Sequence, residues 1–354
     1  MFFKSKTRPL IGLDITTSSI KLIEISMSGG QYCVESFAVE PTPANSMTEK
    51  AIIDPVVIGE AIKRVVRRSG TRCKEAAVAI SGEAAITKII QMPGNLSEVE
   101  LEDQVDLQAD QYIPYPMEEV SYDFEVIGPS VKEPQMNDVL LVATRTENVS
   151  QRVSACELGG LQAKVVDVEP FALEKSCRLM THQMPAGGIG QVVAVVDFGA
   201  SSTTFSVLSD LRVIYTRSFA FGGQQLTEEI MRTYGLSMED AGRGKKEGGL
   251  PANYQSDVLD PFIDDMYQQV ARSMQFYLAS GTARVRPSMI LICGGCANIP
   301  GVAELISSRL GIPAERGNPL GAMKLGVRAR NQNVINKESA AMLTACGLAL
   351  RSFD

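Results

Sequence analysis

Ala194-Val195-Val196-Asp197-Phe198-Gly199-Ala200-Ser201-Ser202-Thr203-Thr204 reads as a buried strand ending in an aspartate, a tight turn of small and hydroxyl residues, and a second strand. A phrase of the same build, Ile11-Gly12-Leu13-Asp14-Ile15-Thr16-Thr17-Ser18-Ser19-Ile20-Lys21, stands near the N-terminus. The two aspartates are 183 positions apart in a chain of 354, about half its length. Small residues let a ligand approach the backbone, and turn N–H groups and hydroxyls donate to phosphate oxygens. Each aspartate brings charge suited to a magnesium ion, held mostly through its waters. Two such turns are what two halves need to grip a phosphate chain from both sides.

The order of elements around the two phrases repeats. In the first half, residues 10–14, 20–25 and 32–39 are expected as strands and 52–68 as a helix with Val56, Val57, Ile62, Val65 and Val66 on one side; 76–80 follows as a strand. In the second half, 192–197, 203–208 and 212–219 are strands, a helix follows Gly222-Gly223, and 289–293 is a later strand. Strand, strand, strand, helix, strand occurring twice predicts a duplicated α/β domain.

Between the halves, Ser97-Glu98-Val99-Glu100 is a capping box opening a helix. Leu101, Val105, Ala109 and Tyr112 share one face, the other is acidic, and Pro114 and Pro116 stop it. Strands at 122–127, 139–143 and 162–168 and a helix at 147–158 complete an α-β-β-α-β block, about 87–165, expected as an inserted subdomain. Later, 235–251 is rich in Gly and Lys. Residues 257–278 are expected as a long helix with Ile263, Met266, Val270, Met274 and Tyr277 inward, followed by helices at 302–310 and 339–351.

Bulk properties exclude several classes. A net charge of −7 argues against nucleic acid as the main partner. No apolar run approaches a membrane span. Met1-Phe2-Phe3-Lys4-Ser5-Lys6 is too short for a secretory signal, and Phe2 and Phe3 are read as a frayed terminus in preference to a lipid contact. Seven scattered cysteines fit reduced thiols. Cys293-Gly294-Gly295-Cys296 is formally C-x-x-C, but without a second such pair, and with His182 the one histidine, small residues filling a strand-to-helix turn are preferred to a zinc or redox site. Gly294-Gly295 there lets a flat ligand lie on the backbone, and Lys21 reaches a phosphate as a point charge. No Walker-type loop is present.

This order resembles the actin, sugar-kinase and Hsp70 superfamily: phosphate motifs at 14–21 and 197–203, and an adenosine motif at 292–301. Glu169-Pro170-Phe171-Ala172 and Ala345-Cys346-Gly347-Leu348-Ala349 resemble its connecting motifs, and Gly222-Gly223-Gln224-Gln225-Leu226-Thr227 its glycine pair at the helix of subdomain 2B. An insert before the first connecting motif is the arrangement of FtsA and of the PilM family of type IV pilus machines. The expectation that no basic amphipathic tail follows 351 sets the chain apart from FtsA. Gln111-Tyr112-Ile113-Pro114, Val168-Glu169-Pro170-Phe171-Ala172-Leu173 and Gly317-Asn318-Pro319 resemble the PilM family.

The resemblance implies an actin-like duplicated ATPase fold with two domains around a nucleotide cleft. Subdomain 1A would hold 1–86, 166–186 and the C-terminal helix 339–354, 1C 87–165, 2A 187–223 and 283–338, and 2B 224–282. It implies ATP with magnesium, the metal at Asp14 and Asp197. The nucleotide would contact Thr16, Thr17, Ser18, Ser19, Lys21, Gly199, Ala200, Ser201, Ser202, Gly222, Gly223, Lys245, Gly294, Gly295 and Ala297. Glu169 stands where some bacterial actins orient the attacking water, against the competing reading of a Glu favoured by a helix dipole. It implies a cytoplasmic scaffold with weak or no ATPase activity, held at the inner membrane by the N-terminal tail of PilN in a groove between 1A and 1C. PilO, PilP, PilB and PilC are implied as further partners, and a homo-oligomer is among the assemblies allowed. An FtsA-like filament former and a small-molecule kinase are the alternatives. Two departures stand out: Thr16 replaces a glycine of many relatives, and Ala241-Gly242-Arg243-Gly244-Lys245 keeps the ribose lysine of bacterial actins but loses the glutamate, leaving a solvated lysine in a basic loop as an equal reading of Lys245.

Overall fold

β1 (Ile11–Ile15) is buried on both faces along its whole length, Asp14 included. It leads through a three-residue turn, Thr16-Thr17-Ser18, into β2 (Ser19–Ser28), and β3 (Gln31–Pro41) returns antiparallel beside it. The computed structural model describes residues 9–48, 51–281, 285–329 and 332–354; Phe2 and Phe3 lie outside them. After the short pair β4 (Met47–Thr48) and β5 (Ala51–Ile52) comes α1 (Pro55–Ser69), then β6 (Glu75–Ile80). An inserted run follows: β7 (Ala85–Pro93), α2 (Glu98–Ala109), β8 (Val120–Pro129) and β9 (Met136–Arg145). The chain returns through α3 (Thr146–Leu158), β10 (Gln162–Val168) and α4 (Glu169–Cys177).

The second half starts with β11 (Val192–Phe198), β12 (Thr203–Ser209) and β13 (Arg212–Phe219). Then come α5 (Gly223–Tyr234), α6 (Met238–Glu247), α7 (Asp260–Ala279), β14 (Met289–Cys293), α8 (Val302–Leu310), β15 (Ala314–Arg316), β16 (Lys324–Leu325), α9 (Gln332–Glu338) and α10 (Leu343–Ala349). The large sheets run β10-β6-β1-β2-β3-β16 and β13-β12-β11-β14-β15. In each, the first strand is antiparallel to the second and parallel to the strand after the helix. The five strands β3-β2-β1-β6-β10 therefore match β13-β12-β11-β14-β15, the duplication that the repeated phrases predict.

The inserted run differs from its expected form. β7 is a strand that the reading does not foresee, and it makes a three-stranded sheet of order β7-β9-β8. Val105 and Ala109 of α2 pack on Ile90, Met92, Leu141 and Ala143 of that sheet. By contrast, α3 places Ala155 and Cys156 in the core of Ile58 and Ile62 from α1, and β10 pairs parallel with β6. Of residues 146–165, expected with the insert, α3 therefore packs on the first large sheet and β10 joins it. A strand's alternation states that one face is buried, not which sheet buries it.

Two local expectations also shift. Asp54 caps α1, accepting from the amides of Val56 and Val57, with Pro55 in the first turn. The buried stripe is then Ile58, Ala61, Ile62 and Val65, while Val56 and Val57 face solvent. The Gly/Lys-rich run at 235–251 contains a helix, α6, capped by the Ser237 side chain on the Asp240 amide. The long-helix reading stands: Ile263, Met266, Val270, Met274 and Tyr277 are buried on α7.

The two halves are joined where α4 and α10 cross. A Cβ on Gly347 would lie 1.7 Å from the Ala172 carbonyl oxygen, so only glycine permits this approach. Ser176 Oγ donates to the Leu343 carbonyl at the same crossing.

Candidate functional site

Strand register places the first turn's charges. Asp14 faces Lys21 across the β1–β2 hairpin, and the ammonium donates to Asp14 Oδ2 at 2.7 Å. Both are buried, Lys21 at 9% and Asp14 at 6% exposure. Burial works to lower the Lys21 pKa, but the carboxylate of Asp14, helped by Asp197 and Glu338, outweighs it and raises the value above 10.5. Position 204 faces Asp197 in the second hairpin and is a threonine, so the second aspartate has no lysine across the ladder. Thr16 N donates to Ser19 O at 3.1 Å, and Gly199 N donates to Ser202 O at 3.0 Å, so the two turns close in the same way. Their tips meet: Thr17 Oγ1 lies 3.3 Å from Ser201 Oγ.

The glycines expected around the second turn gather there. Gly223 N donates to Gly199 O and Gln224 N to Ala200 O, which staples the start of α5 onto the turn with Gly222 beneath it. Gly294, φ 85°, lies so close to the second hairpin that a Cβ would sit 2.2 Å from Phe198 O and 2.5 Å from Asp197 Oδ1. The neighbouring Gly295 is exposed and faces open space, with Ala297 just behind it. Gly294 N donates to Ala340 O, tying this platform to the C-terminal segment.

Lys245 is not in a solvated loop. It lies on α6, and its ammonium donates to Gly223 O at 2.7 Å and Thr227 Oγ1 at 2.6 Å. Burial lowers its pKa. Glu169 opens α4 and lines a cavity of about 30 Å³ together with Gly82, Pro170, Leu173, Asp197 and Thr204. Sequence reasoning missed Thr42, whose hydroxyl donates to Thr16 O and whose amide donates to Ser18 O; Thr203, the last residue of the second motif, donates its hydroxyl to Phe221 O. A hydroxyl beside a turn is a common residue with no local signal. Cys293 and Cys296 are buried thiols, Cys296 pushed up to about 11 by burial, as the packing reading of C-x-x-C expects.

A second opening, about 610 Å³, lies on the inserted lobe beside β7 and is lined by Ile89, Gln91, Tyr112, Val131, Lys132 and Asp138. β7 is an edge strand of its sheet. No helix among the described residues is long and apolar enough to cross a membrane.

The family profile described as "Type IV pilus assembly protein PilM" matches residues 12–353. This chain belongs to the PilM family of type IV pilus assembly proteins. A solved structure described as the PilM-PilN type IV pilus biogenesis complex is 28% identical, covers 98% of this chain and 99% of its own, and superposes with a TM-score of 0.80. Among curated relatives, cell division protein FtsA of Bacillus subtilis (strain 168) is 23% identical over 96% of this chain and 82% of its own length. The ethanolamine utilization protein EutJ of Carboxydothermus hydrogenoformans, 18% identical with a TM-score of 0.56, covers 96% of this chain and 89% of its own. MreB5 of Spiroplasma citri bound to AMPPNP, 12% identical with a TM-score of 0.50, covers 97% and 95%. The last two show the fold alone. The PilM-family chain therefore has the actin-like fold of the resemblance.

Proposed function

We propose that this PilM-family chain is a nucleotide-dependent scaffold of the type IV pilus machine. It holds Mg-ATP between its two large sheets and the N-terminal tail of PilN against the inserted lobe. It thereby links the inner-membrane complex, including PilO and PilP, to the motor and platform proteins PilB and PilC for pilus biogenesis and twitching motility. Its place is cytoplasmic, peripheral at the inner membrane.

The observation that carries the nucleotide reading is the pair of matching turns whose hydroxyls, Thr17 and Ser201, approach to 3.3 Å. The residues fit the group. No three His, Cys, Asp or Glu side chains converge among the described residues. Asp14 and Asp197 alone suit a magnesium ion that keeps waters and phosphate oxygens as its other ligands. When bound, that ion neutralises phosphate charge. Thr17, Ser18, Ser201 and Ser202 donate from hydroxyls and amides, and Lys21 adds a point charge behind Asp14. The open face of Gly295 with Ala297 takes the adenine, and Lys245 stands beside Gly222 and Gly223 at the mouth. The cavity under Glu169 is large enough for a water molecule, which is where an attacking water would stand.

The match to the PilM-PilN complex supports PilN as partner. The β7 edge and the opening beside it support an extended segment as the form of its tail, since a sheet edge offers main-chain pairing and flanking side-chain pockets. We take subdomain 1A as 9–84 with 146–186 and 339–354, the lobe 1C as 85–145, 2A as 187–223 with 285–338, and 2B as 224–281.

The test is acid extraction of nucleotide from the purified chain, followed by anisotropy of a labelled PilN N-terminal peptide with and without Mg-ATP. ATP retained and peptide bound is the expected result. Peptide affinity unchanged by saturating Mg-ATP removes the coupling, because a ligand shifts only an equilibrium whose states it binds unequally. Neither ligand bound overturns the reading.

A further inference from the structure

The two turns are built alike but are not equivalent. Asp14 faces position 21 and Asp197 faces position 204, so Thr16 corresponds to Gly199 and Ser19 to Ser202. In the first turn, Thr16 Oγ1 accepts the Ser19 amide at 3.2 Å and donates to Ser19 O at 2.8 Å. The same hydroxyl lies 3.4 Å from Ser18 Oγ. Thr16 O and Ser18 O are already held by Thr42. In the second turn, Gly199 has no hydroxyl to lay over the Ser202 amide.

We propose that the Thr16 hydroxyl occupies, from inside the protein, an amide that the second turn keeps for a phosphate oxygen, and that it thereby makes the phosphate grip one-sided. Thr16 is a positioning residue: it sets how strongly the first turn holds the β- and γ-phosphates without needing to touch them. This rests on the Mg-ATP reading above. An amide donates more strongly to an anionic oxygen than to a neutral hydroxyl. The Thr16 bond, however, is intramolecular and preorganised, and a phosphate must displace it before gaining the Ser19 amide. The first turn then contributes less to phosphate affinity than the second, whose Ser202 amide meets no such hydroxyl.

The test uses the full chain and three variants. Thr16→Ser keeps the hydroxyl, while Thr16→Ala and Thr16→Gly release the Ser19 amide. Titrations with Mg-ATP, Mg-ADP and adenosine are compared. Thr16→Ala and Thr16→Gly are expected to bind both nucleotides up to about tenfold tighter, because the Ser19 amide then meets a phosphate oxygen with no turn bond to break first. Adenosine affinity is expected to stay level and Thr16→Ser to match the parent; a general structural effect would move adenosine as well. Unchanged or weaker nucleotide binding in folded Thr16→Ala and Thr16→Gly overturns the inference. Where those variants fail to fold, amide exchange in the ¹⁵N-labelled parent decides: Ser19 N–H protected without nucleotide and little shifted by Mg-ATP is expected, and a Ser19 amide that exchanges freely overturns it. A parent chain that binds no Mg-ATP overturns the nucleotide reading and this inference together; equal binding by parent and variants overturns only the inference.

Discussion

Asp14→Asn isolates the charge pair under the first turn. The Lys21 and Asp14 side chains are 11% and 7% exposed and 2.7 Å apart. At an effective dielectric of about 20, that separation is worth about 6 kcal/mol of attraction. Desolvation of the two ions offsets most of it, so the intact pair contributes little net stability. Removing one partner is different: the asparagine leaves a buried ammonium without its carboxylate, at a cost of about 3–5 kcal/mol. Asp197 and Glu338 also act on Lys21, which places the expected loss near the lower end, about 3 kcal/mol. In Asp14→Asn/Lys21→Met no charge is stranded, and the double variant should lose at least about 2 kcal/mol less than the two single losses added.

The assay is urea unfolding of metal- and nucleotide-stripped protein, by circular dichroism and tyrosine fluorescence, with coincident curves required for a two-state fit. A loss under about 1 kcal/mol for Asp14→Asn, or single losses that simply add in the double, would refute the reasoning. The pH dependence has a definite sign. The folded Lys21 pKa is raised, so its contribution is complete below the unfolded value near 10.5 and is lost as pH climbs through the folded value. The stability gap between the parent chain and Lys21→Met should therefore be level from about pH 7 to 9 and narrow only above 10.5.

Gly347→Ala forces a Cβ to within 1.7 Å of Ala172 O, so it should destabilise by at least about 1–3 kcal/mol and lower the thermal midpoint; an unchanged midpoint contradicts the tight α4–α10 crossing. Iodoacetamide at pH 8 followed by mass mapping should label Cys33 and Cys73 first, since the other five cysteines are buried and Cys156 is pushed up to about 12 by burial; early labelling of Cys156 or Cys346 counts against the packing. Ser97→Ala removes the capping box with Glu100 and should cost about 1 kcal/mol, seen as faster amide exchange in the first turn of α2 with the large sheets unaffected.

Much of the architecture was legible because it is written in local chemistry. A strand-end aspartate followed by small and hydroxyl residues forms the same hairpin wherever it stands, so two copies announced the duplication. The core face of α7, the capping box at Ser97 and the glycine pair at 294–295 follow from helical period and backbone sterics. The segments read as a site do lie together in space: the two turns meet, and Gly222-Gly223 and Gly294-Gly295 pack against the second.

Other features needed the tertiary structure. Residues 162–168 read as a strand from the sequence, but only pairing with β6 assigns it to the first sheet instead of the lobe. For Lys245 the sequence leaves a nucleotide contact and a solvated loop residue as equal readings; only α6 brings its ammonium to Gly223 O and Thr227. The sequence by itself determined that two turns of the same build exist and that Thr16 and Gly199 differ. Only the fold decided what that difference does, because a hydroxyl's hydrogen-bond partner depends on where the turn's amides point. Chain chemistry sets which donors and acceptors are available; the packed arrangement sets which of them are already spent.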